Sequence, residues 1–357
     1  MAERRKTRTV AVGDVKIGSD HPVVIQSMTK TDTSDVPATA GQIRELEEAG
    51  CEMVRVAVKD PADAEAISLI KQETTIPIVA DIHFDHRLAV RAVKHGADKI
   101  RINPGNISAP SDIDSIIDAA ASAGIPVRIG VNSGSIPEDT GVSGDIAGRM
   151  VSSVLAYLEH FRKKGFDDLV LSLKASEVPV TVAAYRRIAA ECEYPLHLGI
   201  TAAGLPEDGI IRSAAGIGAL LMDGIGDTVR VSLTGSPVKE VDTARRILDA
   251  SGARSFGARI IACPTCGRCR VDLISIVKEL EDELKRTTND GRREANGKPL
   301  LIAIMGCEVN GPGEAKEADI GIAFGKGKGA IFCGGKIIKT VDAPVAVTEI
   351  MKIINSR

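Results

Sequence analysis

The chain has 357 residues, 44% of them hydrophobic and 26% charged, enough for one large globular domain and a small one. Its net charge of -3 lacks the basic excess of nucleic-acid binders, and 3% aromatic residues with no tryptophan leave little to stack on single strands. No run approaches the roughly 18 apolar residues of a membrane span, and no apolar stretch follows the basic opening, so neither a membrane anchor nor a secretory signal is expected.

Residues 7–18 alternate in character around Gly13-Asp14 and predict a hairpin turning there. Short apolar runs then recur at 23–28, 53–58, 76–82, 99–103, 126–131, 169–174, 196–201 and 228–233. Segments of helical period separate them, among them 39–48, 60–71, 86–95, 111–123 and 145–164. Apolar strands separated by helices imply a parallel sheet covered on both faces. Eight such units predict an α/β fold, a (β/α)₈ TIM-like barrel. An open doubly wound sheet loses support because no Gly-x-Gly-x-x-Gly follows the first strand.

The texture changes near residue 257. Two apolar strands, 259–262 and 300–305, flank a strongly helical segment at 271–286, and a polar stretch, 287–298, follows that helix. A Gly/Lys-rich tail at 325–329 leads to residues 330–333 and a final helix near 346–354. The expected division is a barrel domain over 1–256 and a small α+β domain over 257–357.

Five of the seven cysteines fall in the second part, Cys263, Cys266, Cys269, Cys307 and Cys333. An odd total clustered late in the chain reads as metal binding in a reducing compartment, so a cytoplasmic protein is expected. Cys263 and Cys266 place two thiolates on one tight loop after a strand. Cys307 also follows a strand, so the two loops are expected to meet at one end of the small sheet. Zinc and an iron–sulfur cluster both suit such a thiolate set, and spacing alone makes Cys269 the fourth ligand. Glu314, after the tight turn of Gly311-Pro312-Gly313, reads either as a returning carboxylate ligand or as a first-turn helix acid.

Arg55, Arg101, Arg128, Lys174 and Arg230 lie in or at the ends of five of the eight barrel strands. A cation in a packed parallel strand is costly. Five of them are best explained as a cationic ring at the barrel mouth, where barrel active sites lie. Arginine forks match phosphate oxygens. Asn103, Asn132 and Ser232, two to four residues beyond Arg101, Arg128 and Arg230, offer neutral hydrogen bonds. Asp81 and His83 end the third strand and either handle a proton or hold a neighbouring arginine. The other histidines, His197 among them, show no comparable context.

CPTCGR at 263–268 and GCEVNGPGE at 306–314 resemble the 4-hydroxy-3-methylbut-2-en-1-yl diphosphate synthases of the methylerythritol phosphate route to isoprenoids. The resemblance extends through SMTKTDT (27–33), VADIHFD (79–85), KIRINPGNI (99–107), RIGVNSGS (128–135), HLGIT (197–201) and GIGDTVRVSL (224–233), essentially the whole chain. It implies a barrel followed by a ferredoxin–sulfite-reductase-like iron–sulfur domain. It implies a [4Fe–4S] cluster on Cys263, Cys266, Cys307 and Glu314, with Cys269 outside. It implies a homodimer in which the cluster domain of one protomer covers the barrel mouth of the other. The implied reaction is reductive ring opening of a cyclic diphosphate, whose substrate is surrounded by the barrel residues named above and by Asn310. No nicotinamide or flavin fingerprint is present, so ferredoxin or flavodoxin is the expected electron donor. One position departs from the family: Ala202 stands where a glutamate that acts beside the substrate is expected. A variant of impaired turnover, or a zinc-stabilised barrel binding phosphometabolites, are the competing readings.

Overall fold

The computed structural model describes residues 2–136, 145–287, 294–295 and 298–356. The chain divides into two compact units, Met1–Arg254 and Ser255–Arg357.

In the first unit, a hairpin of β1 (Val10–Val12) and β2 (Val15–Ile17) turns at Gly13, whose φ of 54° needs the freedom of glycine. The barrel strands follow: β3 (Val24–Met28), β4 (Met53–Val58), β5 (Ile78–Ile82), β6 (Lys99–Ile102), β7 (Val127–Asn132), β8 (Leu169–Lys174), β9 (His197–Leu198) and β10 (Thr228–Val229). They are joined in parallel in the order β8-β7-β6-β5-β4-β3-β10-β9, and a parallel bridge between Leu171 and Leu196 closes the ring. Val10, Val12 and Ile17 of the hairpin pack on Val24, Met53, Val79 and Val170 near the strand starts, so the hairpin caps the N-terminal end of the barrel.

The outer helices are α1 (Val36–Glu48), α2 (Pro61–Glu73), α3 (His86–Lys94), α4 (Pro110–Ala123), α5 (Ile146–Lys163), α6 (Val178–Glu191), α7 (Pro206–Met222) and α8 (Pro237–Ala250). Six of these eight carry proline in their first two positions, where its missing N–H costs nothing. α1, α2, α3 and α5 begin on Asp35, Asp60, Asp85 and Asp145, each accepting a first-turn N–H.

β9 and β10 are shorter than the apolar runs at 196–201 and 228–233 suggest. Beyond Val229 the chain finds other partners: the Leu233 N–H is taken by the Glu240 carboxylate instead of a strand. At Gly199 a Cβ would lie 2.6 Å from the Arg230 carbonyl oxygen and 2.7 Å from Lys174 Nζ, so backbone and cation crowd this strand end.

The second unit comprises β11 (Arg259–Ala262), α9 (Leu273–Thr287), a short pair β12 (Glu294–Ala295) and β13 (Lys298–Pro299), β14 (Leu301–Met305), α10 (Gly311–Glu317), β15 (Ile320–Gly325), β16 (Lys328–Cys333), β17 (Lys336–Asp342) and α11 (Ala346–Asn355). Much of the polar stretch at 287–298 lies outside the described residues. The five-stranded sheet runs β11-β14-β15-β16-β17, parallel through β15 and antiparallel after it. α9 and α11 cover one face through Leu273, Leu280, Ile350 and Ile354; Ala315 of α10 packs with Ala303 and Met305 of β14. The Gly/Lys-rich residues at 325–329 are not a tail but the end of β15, a two-residue turn at 326–327 and the start of β16. β17 escapes sequence reading because it is an edge strand with exposed Ile337 and Ile338 and no alternation.

Candidate active site

The barrel interior is lined with charge. Lys99, Arg101, Arg128 and Lys174 are buried, and Arg55 and Arg230 are nearly so. Among the described residues, two buried carboxylates pair with these cations. Asp81 accepts from Arg101 Nη1 at 3.0 Å and lies 3.6 Å from Arg55 Nε. Glu240 accepts from Arg230 Nη2 at 3.2 Å and forms an ion pair with Lys30 Nζ at 3.1 Å. Burial alone would raise the Asp81 pKa, but Arg55 and Arg101 outweigh it and hold the group well below the carboxylate range.

The other cations have weaker company. Arg128 meets the neutral Gln26 Oε1 at 3.1 Å, and Lys99 meets the Met53 sulfur at 3.0 Å. Burial, then Arg128, Arg55 and Arg230, push the Lys174 amine well below its ordinary pKa. Burial brings Arg55 down to about 10 against the pull of Asp81. The Nε atoms of Arg101, Arg128 and Arg230 are buried without a hydrogen-bond partner. Buried cations in excess of their counter-charges, with donors unsatisfied, make a pocket suited to a multiply charged anion.

His83 is half exposed; its Nδ1 lies 2.9 Å from Asn106 Nδ2 and its Nε2 3.0 Å from Arg101 Nη1. Asp81 and His83 thus both hold Arg101. Asn103 is buried in the loop after β6, where its Oδ1 accepts the Gly105 N–H, and its Nδ2 donates to Ser135 Oγ just past β7. Asn132 gives its backbone N–H to Ser135 Oγ. Ser232 is half-buried, one residue short of the Leu233 N–H held by Glu240. Ala202 is exposed at φ 50°, and Phe84, next to His83, has φ 65°. Side chains rarely adopt such angles, and these two sit just past strands β9 and β5, where strain accompanies functional loops.

Sequence reasoning missed several participants. His197 is fully buried, its Nδ1 2.6 Å from Thr228 Oγ1, and burial followed by Lys174 and Arg128 drives its pKa far down. Its inward register on β9 was the available signal. Glu240 and Gln26 carry no motif, and Lys30, though inside SMTKTDT, was given no role; all three gain meaning from tertiary contacts.

In the second unit, Cys263 follows β11 and Gly306-Cys307 follow β14, its parallel neighbour, so both loops leave the same end of the sheet as expected. The Cys263 N–H donates to the Ile304 carbonyl, and the Gly306 N–H donates to Cys263 Sγ at 3.2 Å. A Cβ on Gly306 would stand 2.4 Å from Cys269 Sγ and 3.4 Å from Cys263 Sγ, so only glycine lets these thiols approach the backbone. Thr265, between Cys263 and Cys266, has φ 54°. The backbone N–H groups of Val309, Asn310 and Gly311 lower the Cys307 pKa, favouring the thiolate that metals bind. Cys266, Asn310 and Glu314 are exposed, Glu314 in the first turn of α10. Among the described residues no three Cys, His, Asp or Glu side chains converge as a metal set. The fit to a cluster lies in donor chemistry: two neighbouring loops, a stabilised thiolate and a glycine kept clear for sulfur.

Residues 7–245 match the GcpE TIM-barrel domain and residues 259–356 the GcpE protein C-terminal domain. The chain belongs to the GcpE family. Its relatives include the "4-hydroxy-3-methylbut-2-en-1-yl diphosphate synthase (flavodoxin)" of Caldanaerobacter subterraneus subsp. tengcongensis, 50% identical over 98% of this chain and 97% of that protein. The protein of the same name from Thermodesulfovibrio yellowstonii is 48% identical over 99% of each. Among solved structures, a dihydropteroate synthase from Xanthomonas albilineans superposes with a TM-score of 0.51 at 16% identity, covering 69% of this chain and 99% of that one, a likeness of fold alone. Across the described residues of this GcpE chain, no helix is long and apolar enough to cross a membrane.

Proposed function

We infer that the chain catalyses the reductive ring opening and dehydration of 2-C-methyl-D-erythritol 2,4-cyclodiphosphate to 4-hydroxy-3-methylbut-2-enyl diphosphate, with flavodoxin as electron donor. The observation that carries the substrate class is the set of five cations, Arg55, Arg101, Arg128, Lys174 and Arg230, against two carboxylates among the described residues inside the barrel. Near full-length similarity to synthases of that name narrows the anion to the cyclic diphosphate.

Cys263, Cys266, Cys307 and Glu314 would hold a [4Fe–4S] cluster, which would pass on the electrons of flavodoxin and offer a Lewis-acidic iron. The chain's own residues do the rest. Arg55, Arg101, Arg128, Lys174 and Arg230 hold the diphosphate and stabilise the charge released as the ring opens. Asn103, Asn132 and Ser232 add neutral hydrogen bonds that orient the substrate. Asp81, kept ionised by Arg55 and Arg101, fixes both guanidinium groups; His83 lies beside them, within reach of proton exchange with solvent. Ala202 brings no acid to its strand end, so this chain turns over below the rate its scaffold allows. The working form is a cytoplasmic homodimer.

Anaerobically purified protein is therefore brown, with broad visible absorption and about four irons per chain. Colourless protein carrying zinc contradicts the reading.

A further inference from the structure

Glu240 reaches the barrel mouth from a helix, not from a strand. It lies in the first turn of α8 with its side chain 1% exposed. Its carboxylate collects Arg230 Nη2 at 3.2 Å, Lys30 Nζ at 3.1 Å, the Leu233 N–H at 3.0 Å and Ser27 Oγ at 3.3 Å. Ser27 belongs to β3 and Lys30 follows it; Arg230 and Leu233 follow β10, the neighbour of β3. One carboxylate thus ties two adjacent strand ends together.

Its two cations differ in what they have left to give. An ammonium has three protons, and Lys30 Nζ already faces three acceptors: the carbonyls of Leu233 and Gly235, and Glu240. Two of its protons are held by backbone carbonyls, and its charge is paired with Glu240. A guanidinium has five N–H donors; Glu240 engages one terminal nitrogen of Arg230, and Nε stays unpartnered. The single negative charge is shared between two cations, so the trio keeps a net charge of one. Paired with Arg230 alone, the same acid would cancel the charge a phosphate needs. Asp81 between Arg55 and Arg101 follows the same rule.

We propose that Glu240 is a positioning residue for the diphosphate: it fixes the Arg230 guanidinium while Lys30 offsets its charge, so Arg230 is held in place without being neutralised. This rests on the cyclic diphosphate as substrate.

The sign of one substitution separates positioning from mere damping of positive charge. Removing a nearby negative charge strengthens the binding of an anion if Glu240 only damps the field. If Glu240 positions Arg230, Glu240→Gln weakens binding about ten-fold or more, on the scale of a lost charged hydrogen bond. Calorimetric titration of the full chain with the cyclic diphosphate reads this directly, and KM rises with it while kcat changes less. Glu240→Asp keeps the charge but shortens the arm; positioning predicts weaker binding there too, and damping predicts no change. In the Arg230→Gln background, Glu240→Gln adds no further loss. Unchanged or tighter binding in either Glu240 variant, or additive losses in the double variant, overturns the proposal. Wild-type protein that fails to bind the cyclic diphosphate overturns the proposed function as well; wild-type binding with indifferent Glu240 variants overturns this inference alone.

Discussion

In the barrel, functional side chains are buried and locked by partners drawn from across the fold: Asp81 holds two arginines, Glu240 holds an arginine and a lysine, and Gln26 meets Arg128. In the small unit, Cys266 and Glu314 are exposed, and the loops are organised by backbone N–H groups and a crowded glycine instead of by side-chain pairs. The barrel prepays the organisation of a charged pocket through folding, with Asp81 and Glu240 offsetting part of the cost of the buried cations. The cysteine loops bring donors to one sheet end and leave the final arrangement to the group they bind.

The sharpest way to break this comparison is Cys307→Ser. It removes the visible absorption and the turnover altogether, yet leaves affinity for the cyclic diphosphate within about two-fold, because the barrel pocket does not depend on it. Loss of substrate binding in this variant, by calorimetry, would show that the two regions are not separable. Next in size is Ala202→Glu, which raises kcat by about 10²–10⁴, the usual worth of a positioned acid. The left-handed backbone at this position is already set, so the substitution changes chemistry more than fold. Unchanged turnover in a steady-state assay removes any role for this position.

A smaller effect comes from Lys174, whose pKa in the free protein is pushed well below its ordinary value by burial and by Arg128, Arg55 and Arg230. The unfolded chain binds more protons than the folded one between that lowered pKa and about 10.4, so this group's contribution to stability grows as pH rises through the window. A bound diphosphate reverses the shift. Substrate binding therefore takes up a proton and weakens with rising pH across the same window. Titrations at one alkaline pH in buffers of different ionisation enthalpy measure the uptake, and Lys174→Met abolishes it. Smallest is Cys269→Ser, which keeps the cluster spectrum and lowers turnover less than about two-fold, since Cys269 donates to the Val271 carbonyl and packs on the core. A bleached Cys269→Ser protein would restore Cys269 as the ligand its spacing suggests.

Much of the barrel is legible because its strands are apolar runs broken by helices, and because Arg101, Arg128 and Lys174 break the apolar pattern where a packed core tolerates no cation. The cysteine loops are legible because Cys263 and Cys307 each follow a strand that turns out to be the other's neighbour. Glu240 was not legible: in sequence it is one more acid in a helix first turn, and its meaning comes from Ser27 and Lys30, more than two hundred residues away. His197 was hidden in the same way, its burial set by ring closure and not by its neighbours in sequence. β17 stayed hidden because an exposed edge strand carries no hydrophobic period.

The most direct test is turnover itself. The full chain, purified anaerobically and supplied with reduced flavodoxin and 2-C-methyl-D-erythritol 2,4-cyclodiphosphate, is followed by phosphorus NMR. The account predicts that the resonances of the cyclic diphosphate give way to those of linear 4-hydroxy-3-methylbut-2-enyl diphosphate. Cyclic diphosphate that binds to the iron-loaded, reduced protein and persists unchanged would contradict it.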